Sequence, residues 1–187
     1  LTNVIINTDS IGAYAFANAK ELSTIDLSNV TIIGDYAFSG CTGITGLSIG
    51  SGLTTISNNA FNRCIGLKSI SFPNKVTTIG ESAFNGCTNL GTITLNQVTT
   101  IGEKAFNNCD ALTKITIPSS VSSIGTDAFS NIEGLTKVIY EGTSNPCLSN
   151  AFENIGTTYA EVFISYDSTN FCGKTPRTTD ACDETLN

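Results

Sequence analysis

The sequence predicts a repeat solenoid of the α+β class, with a parallel β-sheet on one face and short helical or 3-10 turns on the other. Three observations predict it. The pair Ala-Phe recurs seven times, ending at Phe16, Phe38, Phe61, Phe84, Phe106, Phe129 and Phe152, in steps of 22 or 23 residues. The apolar positions around each pair recur in the same registers. Within each copy the apolar spacing changes from 3 and 4 to 2, which is the change from a helical face to a strand face. A unit this short cannot bury its apolar side alone, so copies stack.

Residues 1–10, with Val4-Ile5-Ile6, are expected to be the strand half of a truncated leading copy, or N-terminal cap. Residues 11–164 hold about seven repeats of period 22–23. Each opens with Ile, at Ile11, Ile33, Ile56, Ile79, Ile101 and Ile124, with Cys147 in that place in the seventh copy. Gly follows in most copies, and the Ala-Phe pair comes after two more residues. This stretch spaces its apolar residues as one or two helical turns would, and it is too short to be stable without packing. Next come Leu22, Ile44, Leu67, Leu90, Leu112 and Leu135, and then a period-2 segment such as Lys114-Ile115-Thr116-Ile117, predicted to be a strand. Residues 165–187 lose the pattern, carry Lys174, Pro176, Arg177, Asp180, Asp183 and Glu184, and are expected to form a polar C-terminal cap or tail.

Composition narrows the function. The 187 residues hold 9 Lys+Arg against 16 Asp+Glu, a net charge of −7, so a protein built to grip a phosphate backbone is not expected. With 40% hydrophobic and 13% charged residues the chain should fold. There is no His, which removes the commonest general base and the commonest transition-metal ligand. No apolar run is long enough for a transmembrane helix, so no membrane insertion of this chain is expected. No cofactor is implied.

Seven Cys is a high and odd count. Cys41, Cys64, Cys87 and Cys109 share one register in four consecutive copies. With strands about 4.8 Å apart, that column spans about 14 Å. A tetrahedral zinc site needs all four sulfurs within about 4 Å of one another, so these four are expected to be buried thiols acting as small hydrophobes, and no metal site is expected. Cys147, Cys172 and Cys182 sit in the irregular end. A Cys147–Cys172 bridge would tie the last coil to the tail, and Cys172–Cys182 would close a loop within it.

The period-2 pattern sends Ile25, Leu47, Ile70, Ile93, Ile115 and Val138 inward. It turns Thr24, Asp26, Ser48, Ser69, Ser71, Thr92, Thr94, Lys114, Thr116, Lys137 and Ile139 outward, as a surface of small hydroxyls with Lys toward the C-terminal coils. This face is the candidate ligand-binding surface, since solenoids build extended binding faces. The opposite side carries Asp35, Glu81, Glu103, Asp110, Asp127 and Glu133, which a solvated face explains. Asn29-Val30-Thr31 is the one glycosylation sequon.

The copy Ile79-Gly-Glu-Ser-Ala-Phe84-Asn-Gly-Cys87-Thr-Asn-Leu90 resembles the BspA-like, or Treponema-type, leucine-rich repeat at every marked position. The resemblance implies a right-handed leucine-rich-repeat solenoid. It also implies a surface-exposed or secreted protein without catalytic activity, of a kind that includes adhesins binding host matrix proteins or cells through the concave strand face. The expected partner is therefore a host matrix or cell-surface protein and the expected location extracellular or cell-surface, with the chain a monomer or weakly self-associating. The alternative is a structural spacer or self-assembling surface solenoid. An enzyme is not expected, because no interior residue breaks the repeat as a grafted active site would.

Overall fold

The computed structural model describes residues 3–147 and 150–155, together with two strands at 161–164 and 177–178. Its elements are all short strands. In chain order they are β1 (Asn3–Val4), β2 (Ser10–Ile11), β3 (Thr24–Leu27), β4 (Ile32–Ile33), β5 (Ser48–Ile49), β6 (Thr55–Ile56), β7 (Ser69–Ser71), β8 (Thr78–Ile79), β9 (Thr92–Thr94), β10 (Thr100–Ile101), β11 (Lys114–Ile117), β12 (Ser123–Ile124), β13 (Lys137–Tyr140), β14 (Glu161–Ile164) and β15 (Arg177–Thr178).

Each coil contributes two strands, and they build two separate parallel ladders. The first joins β1-β3-β5, then β7-β9, then β11-β13-β14-β15. Its register sets equivalent residues side by side, such as Ser69 with Thr92 and Lys114 with Lys137. The second joins β2-β4 and β6-β8-β10-β12, and a bridge between Ile124 and Cys147 extends it. The period-2 segment alone predicts one strand per copy. The second strand is the Thr-Ile or Ser-Ile pair that opens each repeat.

No helix occurs among the described residues. The expected α+β class, with helical or 3-10 turns, is therefore corrected: the chain is a parallel β-solenoid. The segment around the Ala-Phe pair shows the reason. Ala37, Ser39 and Cys41 donate their N–H groups to Gly34, Tyr36 and Phe38, three residues back, closing three successive turns. The N–H groups between them, of Tyr36, Phe38 and Gly40, leave the coil and bond to Asn58, Ala60 and Asn62 of the next, at 3.0, 2.8 and 2.8 Å. A helix would turn every N–H back along its own axis. Here alternate N–H groups knit neighbouring coils, as in a sheet.

Left-handed backbone makes this alternation possible. In each of the first six copies two positions have positive φ, such as Tyr36 at 58° and Gly40 at 74°, then Asn59 and Arg63 at 57° each, then Ser82 at 53° and Gly86 at 73°. Such residues cannot continue a right-handed helix. Six of the seven copies place Gly or Asn at the second of these positions, as Asn18, Gly40, Gly86, Asn108, Asn131 and Asn154; Arg63 is the exception. Gly and Asn adopt this conformation at least cost.

The interior is built of columns. The Phe rings stack from Phe16 to Phe152, with centroids 5.1 to 5.4 Å apart. Phe38, Phe61, Phe84, Phe106 and Phe129 are fully buried. Beside them runs the Cys column, whose four members are buried free thiols. Each Sγ donates to a Phe carbonyl of the preceding coil: Cys41 to Phe16 at 3.0 Å, Cys64 to Phe38 at 3.1 Å, Cys87 to Phe61 at 3.2 Å and Cys109 to Phe84 at 3.4 Å. Cys thus supplies a small apolar volume and a weak donor together. The second coil is the poorest on the strand side: Gly46 precedes Leu47, β5 starts only at Ser48, and Leu47 and Ile49 are half-buried.

Candidate functional site

The first ladder displays the residues that sequence analysis placed on a binding face. In β9 the inward Ile93 is buried while Thr92 and Thr94 are exposed, and in β7 Ile70 is buried while Ser69 and Ser71 are exposed. β-branched and hydroxyl residues suit this role because they pack well on a pleated, half-buried surface. Thr24, Asp26, Ser48 and Lys114 are likewise exposed, whereas Thr116, Lys137 and Ile139 are half-buried.

The structure gathers part of this set around two depressions. Thr92, Thr94, Lys114 and Thr116 line one of about 700 Å³, together with Asn96, Gln97 and Glu141. It lies where the ladder is interrupted between β9 and β11, so four outward side chains converge at a step in the sheet. Thr24, Asp26 and Ser48 line a second, of about 520 Å³, with Asn29 and the strand residue Val4. Ser69, Ser71, Lys137 and Ile139 share the face and lie outside these two linings. Asn96, Gln97 and Glu141 were missed by sequence analysis because they lie in the turns after the strands, where no period marks them.

The electrostatics of this face are mild. The Asp26 carboxylate accepts the Ser28 N–H at 2.9 Å, which holds its pKa below the ordinary 3.8. Lys114 and Lys137 are in register on adjacent strands, and Lys137 is in register with Glu161 on its other side. The sequon residue Asn29 is exposed at a turn, and Val30 beside it is buried.

The turn side is different. Asp110 and Glu133 line a depression of about 840 Å³ with Asn108, Asn131 and Asn154. Asn154 donates to the Asn131 side-chain oxygen at 2.9 Å, so amides of adjacent coils form a ladder. Glu103 pairs with Lys104 at 2.6 Å on the surface, which raises the Lys104 pKa. No group of three or more His, Cys, Asp or Glu placed to hold a metal occurs among the described residues. Nor does any helix there reach the length and apolarity needed to cross a membrane. Burial pushes the pKa of Cys64, Cys87 and Cys109 far above the thiol range, and that of Cys41 upward, which favours the neutral thiol over the nucleophilic thiolate. The expected Cys147–Cys172 bridge involves Cys172, which lies outside the described residues, as does Cys182.

Comparison with known proteins agrees with the repeat. The model of the BspA-type leucine-rich repeat region matches residues 9–136 and 99–171. A leucine-rich repeat protein of Treponema pallidum is similar in structure, with a TM-score of 0.52 and 23% identity over 94% of this chain and 78% of its own. A leucine-rich repeat protein of Bacteroides ovatus matches with a TM-score of 0.52 and 18% identity over 89% of this chain. The present chain spans 64% of the length of that Bacteroides protein. No curated protein sequence matches it. With the family model covering most of its length, the chain belongs to the BspA-type leucine-rich repeat family.

Proposed function

We propose that this chain is a non-enzymatic binding scaffold of the cell surface or extracellular space, and that its strand face takes a protein ligand, a host matrix or cell-surface protein in an adhesive contact. One observation carries the reading: the alternation of β9 and β11 turns Thr92, Thr94, Lys114 and Thr116 to one face, where they line a single depression, on a scaffold whose interior is tied coil to coil. A rigid face costs little ordering when a partner binds. Hydroxyls, amides and one Lys supply hydrogen-bond donors and acceptors without an apolar patch. The family's surface and secreted members are the ground for placing the protein outside the cell.

The test is surface plasmon resonance of the purified chain over immobilised fibronectin, laminin and collagen, and adhesion of chain-coated beads to cultured epithelial cells. Saturable binding at micromolar concentration or tighter, weakened at least tenfold by Lys114→Glu with Thr94→Arg, is the expected result. Absence of binding to every matrix protein and to cells, or binding indifferent to that double substitution, overturns the proposal.

A further inference from the structure

The depression on the strand face carries opposite charges at its two lips. Lys114 is exposed at the start of β11, Glu141 is exposed just past the end of β13, and both line it. Lys114 is in register with Lys137, so Glu141 lies four residues further along the strand direction. At about 3.3 Å per residue that is about 13 Å. The side chains of Lys114 and Glu141 make no hydrogen bond or ion pair with any described residue. One lip thus offers an ammonium and the other a carboxylate, and neither is met within the described chain.

The floor between the lips is polar, and a proline opens it. Glu141 donates its N–H to the Ile117 carbonyl of the preceding coil at 3.0 Å, and Gly50 donates in the same way to Leu27 at 3.2 Å. Pro118 holds the equivalent place after β11 and has no N–H to give. A rung is therefore missing at the step between β9 and β11. Thr94, Thr116 and Asn96 face this step, while Ile93 and Leu95 beneath them are buried.

We propose that the part of the protein ligand seated here is an extended segment with an acidic and a basic residue four positions apart, the acid over Lys114 and the base over Glu141. This rests on the strand face being the ligand-binding surface. Charge complementarity and spacing select the occupant together. In an extended chain, residues four apart point to the same side and lie about 13 Å apart, which matches the lips. In a helix the same two residues are separated by about 6 Å of rise. An extended segment also arrives with unpaired backbone N–H and C=O groups, which Thr94, Thr116 and Asn96 can meet. A helix satisfies its own and seats in an apolar groove, which this depression does not offer. The two charge-assisted contacts fix the register of the segment.

The experiment titrates the full chain, labelled with nitrogen-15, with two end-blocked peptides of equal composition and follows the amide resonances. One peptide is Gly-Ser-Asp-Ser-Thr-Ser-Lys-Ser-Gly, with the charges four apart, and the other is Gly-Ser-Ser-Asp-Lys-Thr-Ser-Ser-Gly, with the charges adjacent. The spaced peptide should bind saturably, shift the amides of Thr94, Thr116 and Glu141, and show a Kd at least about threefold lower, within the range of exposed ion pairs. Changing its Asp to Asn should weaken binding to the parent chain and leave binding to Lys114→Gln unaltered. Changing its Lys to Gln should behave in the same way with Glu141→Gln. Both substituted side chains are exposed, so each variant should keep the parent's thermal midpoint. Equal affinity for the two peptides, no binding of either, or an advantage of Asp over Asn that persists in Lys114→Gln overturns the proposal. Matrix-protein binding that the strand-face substitutions still weaken would, beside such a result, refute this segment and leave the binding scaffold standing.

Discussion

The thiol of Cys64 lies 3.1 Å from the carbonyl oxygen of Phe38, one coil earlier, and donates to it. The same contact joins Cys87 to Phe61, so each thiol links a Phe of one coil to the column beside it in the next. Replacing Cys87 by Ala removes the sulfur volume and leaves that carbonyl with fewer partners. The expected loss is about 1–2 kcal/mol of stability, at the low end for core truncations because the group removed is small. Denaturant unfolding of Cys87→Ala against the parent chain checks it, and an unchanged midpoint would show that the column contributes nothing.

Burial of these thiols has a pH consequence. Their folded pKa values are raised above the ordinary 9.0 by desolvation, with neighbouring thiols adding to the effect at Cys64 and Cys87. A raised folded value means that the neutral form is favoured by folding. The stability this represents is fully present below pH 9 and falls as pH climbs above it, where only the unfolded chain ionises. The thermal midpoint should therefore decline from pH 9 to 11. A chain with Cys41, Cys64, Cys87 and Cys109 all changed to Ala should decline less steeply. Equal slopes would contradict the assignment.

Phe84 stacks on Phe61 at 5.3 Å and on Phe106 at 5.4 Å. Phe84→Ala should cost about 3–5 kcal/mol, while Phe16→Ala, at the half-buried end of the stack, should cost less. Urea titrations of the two variants decide this, and equal costs would mean that the stack is not graded from end to interior.

Gly86 has φ of +73°, and a Cβ there would stand 3.3 Å from the Arg63 side chain. Gly86→Ala is expected to destabilise by about 1–2 kcal/mol, the cost of a left-handed residue with a Cβ. Gly12 has open space around it and no positive φ, so Gly12→Ala should be close to neutral. A pair of thermal melts compares them directly.

In the oxidised chain, peptide mapping without reductant is expected to recover a fragment joining Cys147 to Cys172. Recovery of Cys172 joined to Cys182 instead would leave the last coil untied and would refute the expected pairing.

Much of this architecture was legible in the residues. The Ala-Phe steps foretold the stacked coils, and the shared register of Cys41, Cys64, Cys87 and Cys109 foretold buried thiols. Lys114-Ile115-Thr116-Ile117 foretold β11 with its alternating burial. The run around Ala37-Phe38 was misread because successive turns space apolar residues by 3 and 4 much as a helix does. The signal that separates the two was present in Asn18, Gly40, Gly86, Asn108 and Asn131, residues suited to positive φ where a helix would gain nothing from them. The second ladder escaped notice because pairs such as Thr78–Ile79 are too short to show a period. Of the outward residues, the strand members could be named in advance. The step between β9 and β11 that gathers Thr92, Thr94, Lys114 and Thr116 could not, because it depends on how neighbouring turns pack.

The central claim is that ligand is taken on the strand face and not on the acidic turn side. A paired measurement of affinity tests it most directly, with Thr94→Arg and Lys114→Glu together on the first face, and Glu81→Lys and Glu133→Lys together on the other, over the same immobilised matrix protein. At least a tenfold rise in Kd is expected for the strand-face pair and an unchanged Kd for the turn-side pair, with both variants keeping the parent's melting temperature. Loss of binding from the turn-side pair, with the strand-face pair binding as the parent does, would contradict it.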